Sequence, residues 1–226
     1  VASQSPVSLG SLNPSSTWGE YNNIIFAVQQ AINKLQTATL VRIESCTNDG
    51  DLSPVGFVDV TPLVNQIDGA NPPNSFPHVT VYGLPYLRLQ GGANAVIIDP
   101  QPGDIGVAVF ASRDISKVKS TKAQANPGSF RSYDFADGLY LGGMLNGVPQ
   151  QYVRFSSSGI TIVAPNTITL QAPNIVLNGA LAQSGGDVTI AQKLTATGDI
   201  KGAGISLQTH THTSAAPGVP TSEPIP

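Results

Sequence analysis

Charge is what this sequence has least of. Asp, Glu, Lys and Arg make up 11 % of its 226 residues, less than half of the usual quarter. The net charge is −3, so no basic surplus is at hand to neutralise phosphates and no nucleic-acid partner is expected. Cysteine is nearly absent as well. The single Cys46 excludes a disulfide within the chain and fits folding in a reducing compartment. It lies in a strand-like run with no nearby histidine, which reads as buried filler rather than a nucleophile. No run approaches the roughly 20 apolar residues of a transmembrane helix. Residues 1–17 have neither the basic start nor the apolar centre of a signal peptide. Aromatics run out early: none follows Phe155.

What is present changes character along the chain. Residues 1–17, rich in Ser, Pro and Asn, read as a flexible arm. Thr17 and Glu20 have the spacing of a capping box. Beyond them Ile24, Ile25, Val28, Ala31, Ile32 and Leu35 recur every three or four residues, which predicts a helix over about 18–36. Its apolar face would pack on its own domain or on a neighbouring copy, or dock a partner. From Thr39 the period drops to two. Strands are expected at 40–44, 55–60, 78–89 (broken near Gly83-Leu84-Pro85), 95–99 and 105–111, with turns such as Asn48-Asp49-Gly50 between them. About five short strands in ~75 residues fit a small closed barrel of the OB type. A short helix is expected within 114–122, a glycine-based hairpin over 133–145, and a last strand at 151–155. Arg113, Lys117, Lys119, Lys122 and Arg131 form the only positive cluster and read as solvated surface.

Past residue 155 the pattern is different again. Ile160-Thr161-Ile162, Thr167 to Leu170, Ile175-Val176-Leu177, Val188-Thr189-Ile190 and Ile205-Ser206-Leu207 are β-type runs separated by Pro, Asn and Gly. Apolar residues alternate with Thr, Asn and Gln, giving each run one dry and one wet face. A single chain has nowhere to put that dry stripe. A one-chain solenoid would want a regular coil, but the spacing drifts after Asn178. Three copies wound about one axis bury the stripe and remove exposed strand edges, so a homotrimeric triple-stranded β-helix is expected over 156–209.

His210 and His212 close the run. In extended chain, residues i and i+2 point the same way. Two imidazoles are too few for a closed metal site, but a threefold axis brings six together. Six nitrogens suit Fe²⁺ or Ni²⁺ better than tetrahedral zinc. Residues 210–226 would then be a metal-binding tip followed by a proline-rich apex, since Pro217, Pro220, Pro224 and Pro226 cannot extend a sheet.

Several stretches resemble the central spike, or membrane-piercing, proteins of contractile-tailed bacteriophage baseplates, in the subgroup with an OB-type domain before a triple-stranded β-helix. They are Phe26 to Ala31, Pro54 to Val60, Arg88 to Ala95, Pro102 to Gly106, Ala136 to Tyr140, Ala196 to Asp199, and Ile205-Ser206-Leu207 leading to His210-Thr211-His212. The resemblance runs from about residue 20 to the tip. It implies a mainly β homotrimer, with residues 18–155 as an OB-type barrel domain carrying one helix. That domain would dock on the baseplate hub under the tail tube, in a virion assembled in the host cytoplasm. The tip would face the host outer membrane, and His210 and His212 of each chain would hold one iron ion per trimer. Sheath contraction would drive this spike through the membrane with no bond made or broken.

Two rivals are a trimeric receptor-binding fibre and a β-helical glycan-degrading spike. The first normally has a broad, aromatic-rich end, which is missing here. The second needs paired carboxylates beside a cleft, and after residue 155 the only acids are Asp187, Asp199 and Glu223. No Ser-His-Asp set or phosphate loop stands out elsewhere. The chain is therefore not expected to be an enzyme.

Overall fold

The computed structural model describes residues 19–68 and 72–209. The arm at 1–17 with Thr17, expected to open a capping box, and His210, His212 and the apex lie outside the described residues. The chain divides into two units between Pro165 and Asn166. Among the described residues it is mainly β, with two short α-helices and one sheet curled into a half-barrel.

The first unit opens with α1 (Glu20–Asn33), shorter than the 18–36 span the periodicity predicts. Its N-cap is Gly19 at φ 90°, which has no side chain to cap with. The helix leaves through Gln36, whose amide donates to the Tyr133 carbonyl at 3.1 Å. Then come β1 (Ala38–Cys46), β2 (Phe57–Pro62), the short pair β3 (Gln66–Ile67) and β4 (Ser75–Phe76), and β5 (Val81–Pro85). β6 (Leu89–Gly91) and β7 (Asn94–Val96) form a separate small hairpin. β8 (Ile105–Phe110), α2 (Ser116–Thr121) and β9 (Gly138–Gly143) complete the set.

The five-stranded sheet has the order β5-β2-β1-β8-β9, all neighbours antiparallel. Its two ends meet where Tyr86, just past β5, bridges Tyr140 of β9 in parallel, and the Leu87 amide donates to the Tyr140 carbonyl at 2.8 Å. Alternation explains the inward face. Val41 and Ile43, Val58 and Val60, and Ala108 and Phe110 point into a core completed by Leu84, Tyr86 and Tyr140. Register shifts between β1 and β2, β2 and β5, and β8 and β9 supply the local twist that curls the sheet.

Three expectations are corrected here. The chain does not break at Gly83-Leu84-Pro85: β5 runs through them, with Gly83 at φ 68° and its amide bound to Asp59 Oδ1 at 2.9 Å. Glycine takes the bulge conformation there, so Leu84 can be buried. The fifth sheet strand is β9 rather than 95–99, because Gly91-Gly92 folds β6 onto β7 instead of sending β7 to the sheet. Residues 133–145 hold a 3₁₀ turn, Phe135–Asp137, and one strand paired to β8, not a hairpin of their own.

The unit ends in the hairpin β10 (Tyr152–Ser156) and β11 (Gly159–Val163), turning at Ser157-Ser158. This hairpin spans residue 155, where aromatics stop. In the second unit the ordered ladder is the small hairpin β12 (Lys201–Gly202) and β13 (Ile205–Ser206). Its turn residues Ala203 and Gly204 both have positive φ, 47° and 86°, the form that matches the twist of paired strands.

Candidate self-association surface

The β10–β11 register places Val153 opposite Ile162 and Phe155 opposite Ile160. Residues two apart share a face and cross-strand partners lie on the same side. Four large apolar side chains therefore form one face of a two-stranded hairpin, while Arg154, Thr161 and Ser156 lie on the other beside the half-buried pair Tyr152 and Val163. All four are exposed, Phe155 at 75 %. An isolated hairpin is marginal in water, and this one presents its apolar side uncovered.

The second unit repeats the problem over a longer stretch. Ile168, Leu170, Ile175, Val176, Leu177, Leu181, Val188, Ile190 and Leu194 are all exposed. No described residue of 166–209 is buried. The β-type runs at 167–170, 175–177 and 188–190 belong to no strand within the chain. The physical reason is direct: a strand exists only as a ladder, and among the described residues no segment pairs with these runs to supply one. Charge is sparse here, with Asp187, Lys193, Asp199 and Lys201 cancelling to zero, so long-range repulsion between copies is small.

At its far end the unit tightens. Ser206 Oγ donates to Asp199 Oδ1 at 2.7 Å and accepts from the amides of Gln208 and Thr209 at 3.1 and 3.0 Å. The Leu207 amide reaches back to the Ile200 carbonyl at 2.8 Å. This hydrogen-bonded turn ends at Thr209, one residue before His210. Sequence reading missed Asp199 and Ser206 as the pair that closes the β12–β13 hairpin; the Gly198-Asp199 and Ala203-Gly204 turn signals could have pointed to it. Among the described residues no cluster of three or more His, Cys, Asp or Glu could hold a metal.

The ionic groups of the first unit serve its own fold. Arg88 Nη2 donates to Asp99 Oδ1 at 2.6 Å, the Tyr86 hydroxyl donates to the same oxygen at 2.7 Å, and the Gly50 amide donates to Oδ2 at 2.9 Å. Arg88 Nη1 also holds the Ser53 carbonyl at 2.8 Å. Burial raises the Asp99 carboxyl, but hydrogen bonds from Tyr86, Arg88 and Gly50 outweigh it and leave the group below its usual value. Burial, first, and the Asp99 partner push the Tyr86 phenol up to about 12. A second network joins Arg131 to Asp137 through Nε and Nη2, at 2.6 and 2.9 Å, and to Asp114 at 3.1 Å. Hydrogen bonds from Ser116 and Ser129 hold the Asp114 carboxyl down at about 2.

The positive cluster expected as solvated surface is thus partly internal. Arg131 is paired, and Lys119 Nζ donates to the carbonyls of Gly83 and Ala136 at 3.3 Å each. Cys46, expected as buried filler, is only half-buried against the core, and burial raises its thiol. His78 stands edge-on to Phe135 at 5.1 Å. These arrangements can position loops; they do not assemble a nucleophile with a base. What the described residues offer chemically is an uncovered apolar surface. No protein-family model matches the chain, and no curated protein sequence matches it.

Proposed function

We propose that the protein is the central, membrane-piercing spike of a contractile phage tail. In this reading residues 18–155 of each chain form an OB-type barrel domain, and residues 156–209 of three chains intertwine as a triple-stranded β-helix. Residues 210–226 form the tip. The observation that carries the reading is the uncovered apolar series from Val153 to Leu207, in which the β-type runs at 167–170, 175–177 and 188–190 pair with no strand among the described residues. A second copy alone would cover one side of such a strand. A threefold arrangement gives every strand two neighbours and leaves no edge.

The barrel half is supported by the strand order β5-β2-β1-β8-β9 and the parallel join of Tyr86 to Tyr140, which is the connectivity of a five-stranded OB-type barrel. That domain would dock on the hub at the end of the tail tube, and the tip would meet the host outer membrane. His210 and His212 suit the metal by donor chemistry: imidazoles at i and i+2, six per trimer, match an octahedral iron ion. The ion would cross-link three chain ends and add its binding energy to their folding. The work is mechanical, and no residue acts as a catalyst.

The test is the mass of the purified protein by light scattering, with elemental analysis on the same peak. Three chains carrying one iron between them is the expected result; a metal-free monomer overturns the proposal. Phage carrying a chain truncated at Ser156 should assemble a folded barrel domain yet fail to infect, and normal infectivity would sink the piercing role.

A further inference from the structure

We infer that α1 forms a short parallel three-helix bundle with the α1 helices of the two other copies, an interface that presupposes the trimer proposed above and lies at the opposite end of the chain from the tip. The observation is a helix turned inside out. Tyr21, Ile24, Ile25, Val28, Ile32 and Leu35 are all exposed, Val28 at 48 %. The half-buried positions are instead Asn22, Phe26 and Gln30, one turn apart on the other side. No residue of α1 is buried.

Such a helix does not stand alone. It has 14 residues and no side-chain cap, and three isoleucines, a valine and three asparagines replace the better helix formers. Helices of this length are marginal in water even when rich in alanine, and hold only by packing an apolar face. The spacing of that face selects the occupant. Within α1, Tyr21, Ile25, Val28 and Ile32 follow a 4-3-4 step, which is the spacing of a heptad seam, and Leu35 continues it just past the C-cap Lys34. β-Branched residues fill both kinds of seam position, at Ile25 and Ile32 and at Val28, the choice that shifts parallel coils from two strands towards three.

Charge points the same way. Glu20 is the only charged residue of α1, so the seam and its flanks are neutral and three identical faces meet without like-charge repulsion. An oppositely charged partner surface would find nothing to read. A threefold axis makes the three helices parallel by symmetry. Two heptads cannot hold three chains by themselves, so the bundle forms on chains already joined through residues 156–209.

The experiment compares the full chain with Val28→Asp, at the centre of the seam, and Asn23→Asp, on the opposite side. Each adds one negative charge to an exposed position of the single chain. Hydrogen exchange of the amides of residues 24–33 is read beside mass by light scattering. The expected result is a trimer for all three proteins. Protection of 24–33 should fall at least tenfold in Val28→Asp and stay near wild type in Asn23→Asp. A trimer whose α1 exchanges at the same rate in wild type and Val28→Asp overturns the bundle and leaves the trimer standing. A monomeric wild type overturns both.

Discussion

Truncating Ile175 separates a trimeric shaft from a chain that lives alone, because the two place its side chain in opposite surroundings. Within its own chain Ile175 is 52 % exposed. Shortening an exposed side chain of that kind changes stability by no more than about 0.5 kcal/mol. In a three-chain β-helix the remaining half of its surface also leaves water. Full burial of an isoleucine is worth roughly 1.5–3 kcal/mol, so the remaining half contributes about 1 kcal/mol per chain and about 3 kcal/mol per trimer. Ile175→Ala also leaves a void in each of three symmetric positions, which brings the total above that floor. At about 1.4 kcal/mol per decade, the dissociation constant should rise by roughly 100-fold or more.

The assay is sedimentation equilibrium over a dilution series, followed by thermal melts read in two ways. All Trp, Tyr and Phe precede residue 156, so near-ultraviolet dichroism reports the first unit alone, whereas far-ultraviolet dichroism reports both. Ile175→Ala should weaken association and shift the far-ultraviolet transition while the aromatic transition keeps its midpoint. Ile43→Ala is the reference. Ile43 is 1 % exposed in the half-barrel, so its truncation should cost about 2–5 kcal/mol and move the aromatic transition instead. If Ile175→Ala leaves the association constant within threefold of wild type, the side chain sits in water and the shaft is wrong.

Three further outcomes concern the first unit. Tyr86→Phe removes the hydroxyl that bridges Asp99 and Arg88 at 2.7 and 3.2 Å and should destabilise by about 1–3 kcal/mol in denaturant melts followed by near-ultraviolet dichroism; an unchanged midpoint would mean the network is ornamental. Gly106→Ala would drive a Cβ into the Gly142 carbonyl and the Tyr140 ring and should cost about 1–3 kcal/mol, whereas Gly147→Ala, with open space around it, should lie within about 0.5 kcal/mol of wild type. Acid should act through Asp99, Asp114 and Asp137, whose carboxyls all lie below their usual value in the folded chain. A depressed carboxyl contributes stability in full above its unfolded value of about 4. That contribution is lost as pH falls through the folded value, which is about 2 for Asp114. The aromatic melting temperature should therefore hold between pH 7 and 5, as far as these groups are concerned, and decline between about pH 4 and 2. Asp114→Asn should flatten part of that decline, and a decline that is unaltered in the variant would remove Asp114 from the account.

Local pattern carried the half-barrel strands and little of their connection. Val41 and Ile43 flanking Arg42, or Ala108 and Phe110 flanking Val109, announce an inward face by simple alternation, and β1 and β8 are where the period of two places them. The fate of 95–99 was not legible, because nothing in the Ala95 to Asp99 run distinguishes a sheet strand from the arm of a side hairpin. The deciding contact is Asp99 with Arg88 and Gly50, eleven and 49 residues away. Gly83 misled for a similar reason: before a leucine and a proline it signals a break, yet Asp59 across the sheet holds its amide and keeps the strand going. In α1 the period gave the helix and its apolar stripe, but not that the stripe faces away from the domain. The stripe of the last third was legible as a surplus of apolar residues. What would cover it was not, since a partner from another chain would leave no mark in the local sequence beyond that surplus.

The two units treat their apolar residues differently, and in the proposed trimer the difference would order assembly. The half-barrel closes on nine buried side chains from one chain and two internal ionic networks, so its core is complete within a single copy. Residues 166–209 bury nothing, so in the proposed trimer their ordering would be coupled to association and its extent would depend on concentration. Coupled winding brings a hazard. Ile160, Ile168 and Ile175 recur at steps of eight and seven, close enough that three chains could meet one coil out of step and still bury most of the stripe. Register therefore has to be set where the spacing is not repeated. The β10–β11 hairpin is such a place, because its two-residue turn fixes Phe155 against Ile160 and Val153 against Ile162 within each chain, at the first member of the repeat. Three such faces meeting would define the start of the shaft. The proposed iron site at His210 and His212 would test that start at the other end, since a chain one coil out of step brings the wrong residues to the axis and leaves the six-imidazole site incomplete.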